Sequence, residues 1–252
     1  LVNMGAPVPL EAPISFLGIG SCFIQNMAAH FNQWNHKYSI NPLGTTFNPV
    51  SIAKQIEWLY GSQCTLDNTI YHKGVYHQLE AAYRFHSANE WELKEAIRVE
   101  KESAQSFIQT HSPTLLITFG TAHAWTFQGQ VVNNCHKLPG QWFERKLLTV
   151  DDIVQVWRSA LKELPEHVQV IFTVSPVRYT RLGLVENFKG KATLRLAIEA
   201  LVDQERFHYF PSFEIFTDEL RDYSFSKLPA APHPNEYAVS IIAERFHSHF
   251  LS

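Results

Sequence analysis

Two reactive side chains stand next to each other in GIGSCF, where Ser21 and Cys22 follow an apolar run. Gly18 and Gly20 permit a tight turn and a close approach of backbone. Helical spacing begins at once, with Phe23, Met27 and Phe31 four residues apart. A hydroxyl or thiol at such a helix start meets backbone N–H groups and the positive end of the helix dipole. Both lower a thiol's pKa and stabilise an oxyanion. The same pair also suits a plainer role, a serine N-cap beside a structural cysteine. The full G-x-G-x-x-G spacing is absent, which argues against a dinucleotide site.

Three further stretches hold chemistry-bearing residues. His233 sits between two prolines in AAPHPNEYAV, just before a C-terminal helical stripe. Proline-fixed backbone would hold the imidazole in place, as a general base requires, and a surface loop histidine is the alternative. VVNNCHKLPG puts Asn133, Asn134, Cys135 and His136 in one turn, either as donors to a ligand oxygen or as turn formers. Arg178 in SPVRY and Arg221 in DELRDY suit carboxylate or phosphate binding, or a structural ion pair. His72, His77 and His86 lack a metal-ligand spacing and no H-E-x-x-H occurs, so neither a metal nor another cofactor is expected.

The elements that must position these residues alternate in type. Ile14–Ile19, Leu115–Gly120 and Val168–Pro176 read as buried strands, with His36–Ile40 a further strand and Phe207–Phe210 a short edge strand. Between them, helical spacing covers Phe23–Trp34, Ser51–Tyr60, Glu92–Gln109, Lys189–Gln204 and Glu236–Phe250. Thr149 and Asp152 open another helix as a capping box, ahead of Ile153, Val156, Trp157 and Leu161. The pattern predicts an α/β fold with a mostly parallel sheet and helices on both faces. It predicts one domain over 1–252, with an irregular surface insertion around 61–90. Ligands bind such sheets at the carboxyl ends of the strands, where GSC, FGTAHAW and SPVR fall.

Composition narrows the function. The chain has 252 residues, 45% of them hydrophobic and 18% charged, enough for a sizeable core. A net charge of -3 argues against a nucleic-acid partner. No apolar run reaches the roughly 18 residues of a membrane span, and no basic start with an apolar core marks a signal peptide. Cys22, Cys64 and Cys135 are sparse and odd in number, which fits a reducing, cytoplasmic setting better than a disulfide scaffold.

Taken together, GSCF, NPLGTTFNP, FGTAHAW, VVNNCHKLP, TVSPVR, YFPSFEI, DELRDY and HPNEYAV resemble the GSCFA family, a branch of the SGNH-hydrolase-like superfamily. The resemblance spans nearly the whole chain. It implies a three-layer α/β/α, flavodoxin-like domain and a hydrolase-type site. The expected activity is that of an acyl-ester hydrolase or acyltransferase working through a covalent acyl intermediate, on a small-molecule or glycan ester. Laid on the superfamily's first block without a gap, Gly20-Ser21-Cys22 puts Cys22 at the nucleophile position and leaves Ser21 to brace the turn. Carried over in the same way, His233 is the base. The oxyanion donors are the nucleophile's own N–H, the Gly44 N–H and Asn134, with Thr121 as the alternative to Asn134. The family pattern is departed from in four places, one of them the aromatic-rich stretch after DELRDY, which reads SFSKL here. The Asp expected three residues before the base is Ala230, the His after SPVR is Tyr179, and a Ser near KA is Gly190. Glu219, Asp222 or a backbone carbonyl would have to orient the base. The alternative is a ligand- or glycan-binding domain that has lost catalysis on the same fold.

Overall fold

The computed structural model describes residues 2–61, 68–203, 205–221 and 233–251. In chain order the elements are β1 (Ser15–Gly20), α1 (Cys22–Gln33), β2 (Lys37–Ile40), α2 (Pro49–Tyr60), β3 (Thr69–His72), β4 (Val75–Gln78), β5 (His86–Ser87), α3 (Glu90–His111), β6 (Thr114–Phe119), β7 (His123–Phe127), β8 (Gln130–Val132), β9 (Phe143–Leu147), α4 (Val150–Lys162), β10 (Val170–Val174), α5 (Gly183–Glu199), β11 (Phe207–Phe210), the single turn α6 (Ser212–Glu214) and α7 (Glu236–Phe250).

Five strands form one parallel sheet in the order β11-β10-β6-β1-β2. Numbered within that sheet, the order is 2-1-3-4-5, the doubly wound flavodoxin-like arrangement. β1, β6 and β10 are apolar on both sides because helices cover both faces. Alternation sorts their side chains. Phe16, Leu116 and Ile171 point to one face, where they meet Phe23, Met27 and Phe31 of α1 and Ala238, Ile242 and Phe246 of α7. Phe16 stacks on Phe31 at 4.5 Å between ring centroids. Leu17, Ile19, Leu115, Ile117, Phe119 and Phe172 point to the other face, against α2, α4 and α5. There Trp157 is fully buried between Phe119 and Phe172, and its Nε1 donates to the Pro49 carbonyl at 3.0 Å.

The helix starts follow from local chemistry. Ser21, Asn48, Asn89, Thr149 and Asn235 each cap a helix by accepting a backbone N–H. The capping box of Thr149 and Asp152 is present, with Thr149 Oγ1 accepting from Asp152 N at 3.0 Å and Asp152 Oδ2 from Thr149 N at 2.9 Å.

The structure differs from the sequence expectation in three places. The stretch expected to be irregular carries an antiparallel sheet, β3-β4-β5, and Leu79 and Ala81 beyond it are fully buried. A second antiparallel sheet, β8-β7-β9, was not anticipated. Each opens on a two-residue hairpin, Lys73-Gly74 and Gln128-Gly129, in which both residues have positive φ. That is the turn geometry matching strand twist, usually announced by Asn-Gly or Asp-Gly. Finally, α5 begins at Gly183 and ends at Glu199, earlier at both ends than expected, because Leu184, Val185, Phe188 and Leu196 are exposed and blur its apolar stripe.

Candidate active site

The chain turns back at β1 and then crosses to β6, so the switch point of the sheet lies between these two strands. Their carboxyl ends and that of β10 open on a cavity of about 690 Å³. Ser21, Cys22, Thr121, Asn134, Arg178 and His233 all line it. Six residues singled out by type or by the family resemblance, in five separate stretches, thus share one space.

The β1–α1 turn is shaped by Gly20, whose φ is +145°. A Cβ there would run into the Thr118 carbonyl of the neighbouring strand, whose C and N atoms lie 2.9 Å away. The NPLGTT loop clamps the same residue. Gly20 N donates to Asn41 Oδ1 at 2.8 Å and Thr46 N donates to the Gly20 carbonyl at 2.9 Å. Ser21 N donates to the Thr118 carbonyl at 3.2 Å. Ser21 is 1% exposed and its Oγ accepts from Phe23 N at 3.3 Å, so its hydroxyl is the helix cap. Cys22 is the first residue of α1, partly exposed to the cavity and placed against the positive end of the helix dipole.

Asn134 arrives from the far side. Its loop is tied to the end of β4, with Asn133 N and Asn134 N both donating to the Leu79 carbonyl, at 2.9 and 3.1 Å. Asn134 Oδ1 accepts from His136 N at 2.8 Å, which leaves the Nδ2 hydrogens as the donors this side chain offers. Cys135 lines the cavity too, but burial pushes its thiol up to about 11, so it is a poor nucleophile at neutral pH. Burial pushes His136 down to about 4 and its Nε2 lies 3.1 Å from the Ala81 carbonyl, so this ring is a neutral core group. Thr121 is held by its N–H, which donates to the Phe47 carbonyl at 3.0 Å, and its Oγ1 accepts from His123 N at 3.0 Å.

One residue expected in the site is not there. Gly44 does not line the cavity, and its N–H donates to the Asn41 carbonyl at 2.7 Å. Its φ of +76° and the contact a Cβ would make with Ala82 explain why glycine is needed: the loop passes hard against residues 81–82. Glu219 is engaged elsewhere, accepting from Arg245 Nη1 at 2.6 Å and from Val2 N at 2.9 Å. Ala230 and Asp222 lie outside the described residues. No Asp or Glu is among the described residues that line the cavity.

Sequence reasoning missed four contributors. Trp125, Tyr179 and the partly exposed Phe47 supply aromatic wall. Lys191 is 2% exposed, and its Nζ donates to the Gly120 and Ser175 carbonyls at 2.7 Å each. A signal for Lys191 existed, since it shares the buried stripe of α5 with Asn187, Leu194 and Ile198 at helical spacing. Among the described residues, no group of three or more His, Cys, Asp or Glu is placed to hold a metal ion.

Sheet order, cleft position and clamped turn define a doubly wound α/β protein with a binding cleft at its switch point. The chain belongs to the GSCFA family, whose model matches residues 15–246. Among solved structures it is similar to a carbohydrate esterase family 2 enzyme plus carbohydrate-binding domain from Corynascus thermopiles (Myceliophthora fergusii). The two are 12% identical, the match covers 96% of this chain and 67% of that one, and the TM-score is 0.47. No curated protein matches in sequence.

Proposed function

We propose that the protein hydrolyses or transfers the acyl group of an ester through a thioester on Cys22. The observation that carries this reading is the convergence of Cys22, His233 and Asn134 on one cavity from α1, the approach to α7 and the loop after β8. His233 takes the thiol proton, and the thiolate attacks the carbonyl carbon. The electron pair of the C=O bond moves to oxygen, where the Cys22 N–H and Asn134 Nδ2 donate to it, with Thr121 beside them. The adduct collapses with rupture of the C–O bond, and the departing alcohol takes the proton from His233. Water, or an acceptor alcohol, then gives a proton to His233 and attacks the thioester, releasing acid or new ester and restoring the thiol. The flat faces of Trp125, Tyr179 and Phe47 suit a sugar ring, and Arg178 with Arg181 suits an anionic substituent.

The test is hydrolysis of short p-nitrophenyl esters, with acetylated sugars as competitors. Cys22→Ala and His233→Ala should abolish turnover, while Asn134→Ala should lower it by about 10²-fold, the usual effect of one oxyanion donor. Wild-type rates in both Cys22→Ala and His233→Ala overturn the mechanism. A second reading, a glycan- or ligand-binding domain without turnover, is favoured by Ala230, which stands where the family pattern has the Asp that orients the base. Saturable sugar binding with no hydrolysis by the wild type would establish it instead.

A further inference from the structure

Lys191 raises a question that acyl transfer alone does not answer. An ammonium is buried under the cavity, held by two carbonyl oxygens at the ends of β6 and β10. Carbonyl dipoles orient a cation without neutralising it, and burying a charge unpaired is costly. Among the described residues Lys191 forms no ion pair with a carboxylate. Its two acceptors, Gly120 and Ser175, line the same cavity as Cys22. Gly120 lies two residues past Thr118, whose carbonyl accepts the Ser21 N–H that leads into Cys22.

We propose that Lys191 is the built-in counter-cation of Cys22, whose charge favours the thiolate that forms when His233 takes the thiol proton. This rests on Cys22 being the reactive residue, and it does not depend on which ester is cleaved. Burial pulls the Lys191 ammonium down to about 7, and negative charge on Cys22 acts in the opposite direction. The other charged and titratable groups lining the cavity among the described residues are His233, His123, Arg178, Arg181, Tyr179 and Cys135. Glu186 is turned to His123, 3.7 Å away, and to Lys189, 3.9 Å away. Lys191 is therefore a positioning residue that acts through the Cys22 sulfur, in addition to bridging two strand ends.

The test is the pH profile of Cys22 alkylation by iodoacetamide, followed peptide by peptide in the mass spectrometer so that Cys64 and Cys135 do not contribute. In the wild type the inflection should fall at least about one unit below the ordinary thiol value of about 8.5, more than a helix N-terminus supplies alone. Lys191→Gln keeps a donor for one carbonyl but removes the charge. It should raise the inflection by about one unit, a roughly tenfold loss of thiolate at lower pH, which is the low end of what a neighbouring cation does. Lys191→Met should do the same. An unchanged inflection in a folded Lys191→Gln protein overturns the proposal, because a merely structural bridge would not move it. If neither variant folds, the wild-type profile decides. An inflection less than about one unit below 8.5 overturns the proposal, and a lower one supports it. Ester hydrolysis measured alongside separates the two readings. A charge-dependent Cys22 profile without turnover keeps the Lys191 assignment and removes acyl transfer. Cys22-dependent turnover with an unshifted profile does the reverse.

Discussion

Substituting Gly20 with alanine tests whether the clamped turn is as tight as the geometry implies. Two effects add. The backbone is held at φ +145°, a region used almost only by glycine, and forcing another residue there costs about 1–3 kcal/mol. The new Cβ also falls against the Thr118 carbonyl, whose C and N atoms are both at 2.9 Å, and β6 is pinned on its other side by β10. Overpacking a rigid site of this kind costs about a further 1–3 kcal/mol. Gly74→Ala is the internal control. Its φ is +83° but nothing lies within 4 Å of the added Cβ, so only the backbone strain of about 1–2 kcal/mol applies. Urea unfolding followed by tryptophan fluorescence should place Gly20→Ala about 2 kcal/mol or more below Gly74→Ala, at equal m-values. At about 2–4 °C per kcal/mol for a chain of this size, the gap in Tm should reach about 4–8 °C. Equal losses in the two variants would refute the close approach of β1 and β6 at the turn, and with it the account of how Cys22 is aimed.

Three other outcomes follow from single contacts. Ser21→Ala removes the α1 cap and should cost about 1 kcal/mol in urea unfolding. Trp157→Ala empties the space between Phe119 and Phe172 and orphans the Pro49 carbonyl, so a loss of about 3–5 kcal/mol is expected, against under half of that for Trp157→Phe. His136 is depressed to about 4 by burial, with His77 and His86 adding a smaller push in the same direction. The unfolded chain therefore binds the proton first as pH falls. The stability this group contributes is fully present above about 6.5 and is lost progressively towards 4, by up to about 3 kcal/mol. His136→Gln should flatten that part of the stability–pH curve, and an unchanged slope would count against the buried neutral ring.

The central sheet was legible because its inner strands β1, β6 and β10 carry an almost unbroken apolar signal. Val170–Val174 and Thr114–Phe119 are buried on both faces, and no helix of equal length hides in such short runs. The stripe of Ala238, Ile242 and Phe246 marked α7 for the same reason. The two antiparallel sheets were not legible, since their strands are half-exposed and their hairpins turn on Lys-Gly and Gln-Gly rather than Asn-Gly. Cys22, His233 and Asn134, singled out by type in three distant stretches, line one cavity. Gly44 was misplaced because a glycine demanded by a close backbone approach looks, in sequence, like a glycine that offers an N–H to a ligand.

What the sequence hid most completely is how the site is held, and the reason is chemical. The positioning contacts run through main-chain atoms. The NPLGTT loop holds Gly20 through Asn41 Oδ1 and Thr46 N, the Phe47 carbonyl receives Gly120 N and Thr121 N, and Leu79 receives Asn133 N and Asn134 N. A main-chain acceptor leaves no mark on residue type, so half of every such pair is invisible in the sequence. Lys191, like Asn41, is an exception, because its side chain makes the bridge itself. A lysine on the buried stripe of an amphipathic helix contradicts the pattern around it, and local contradictions of that kind gather at functional sites.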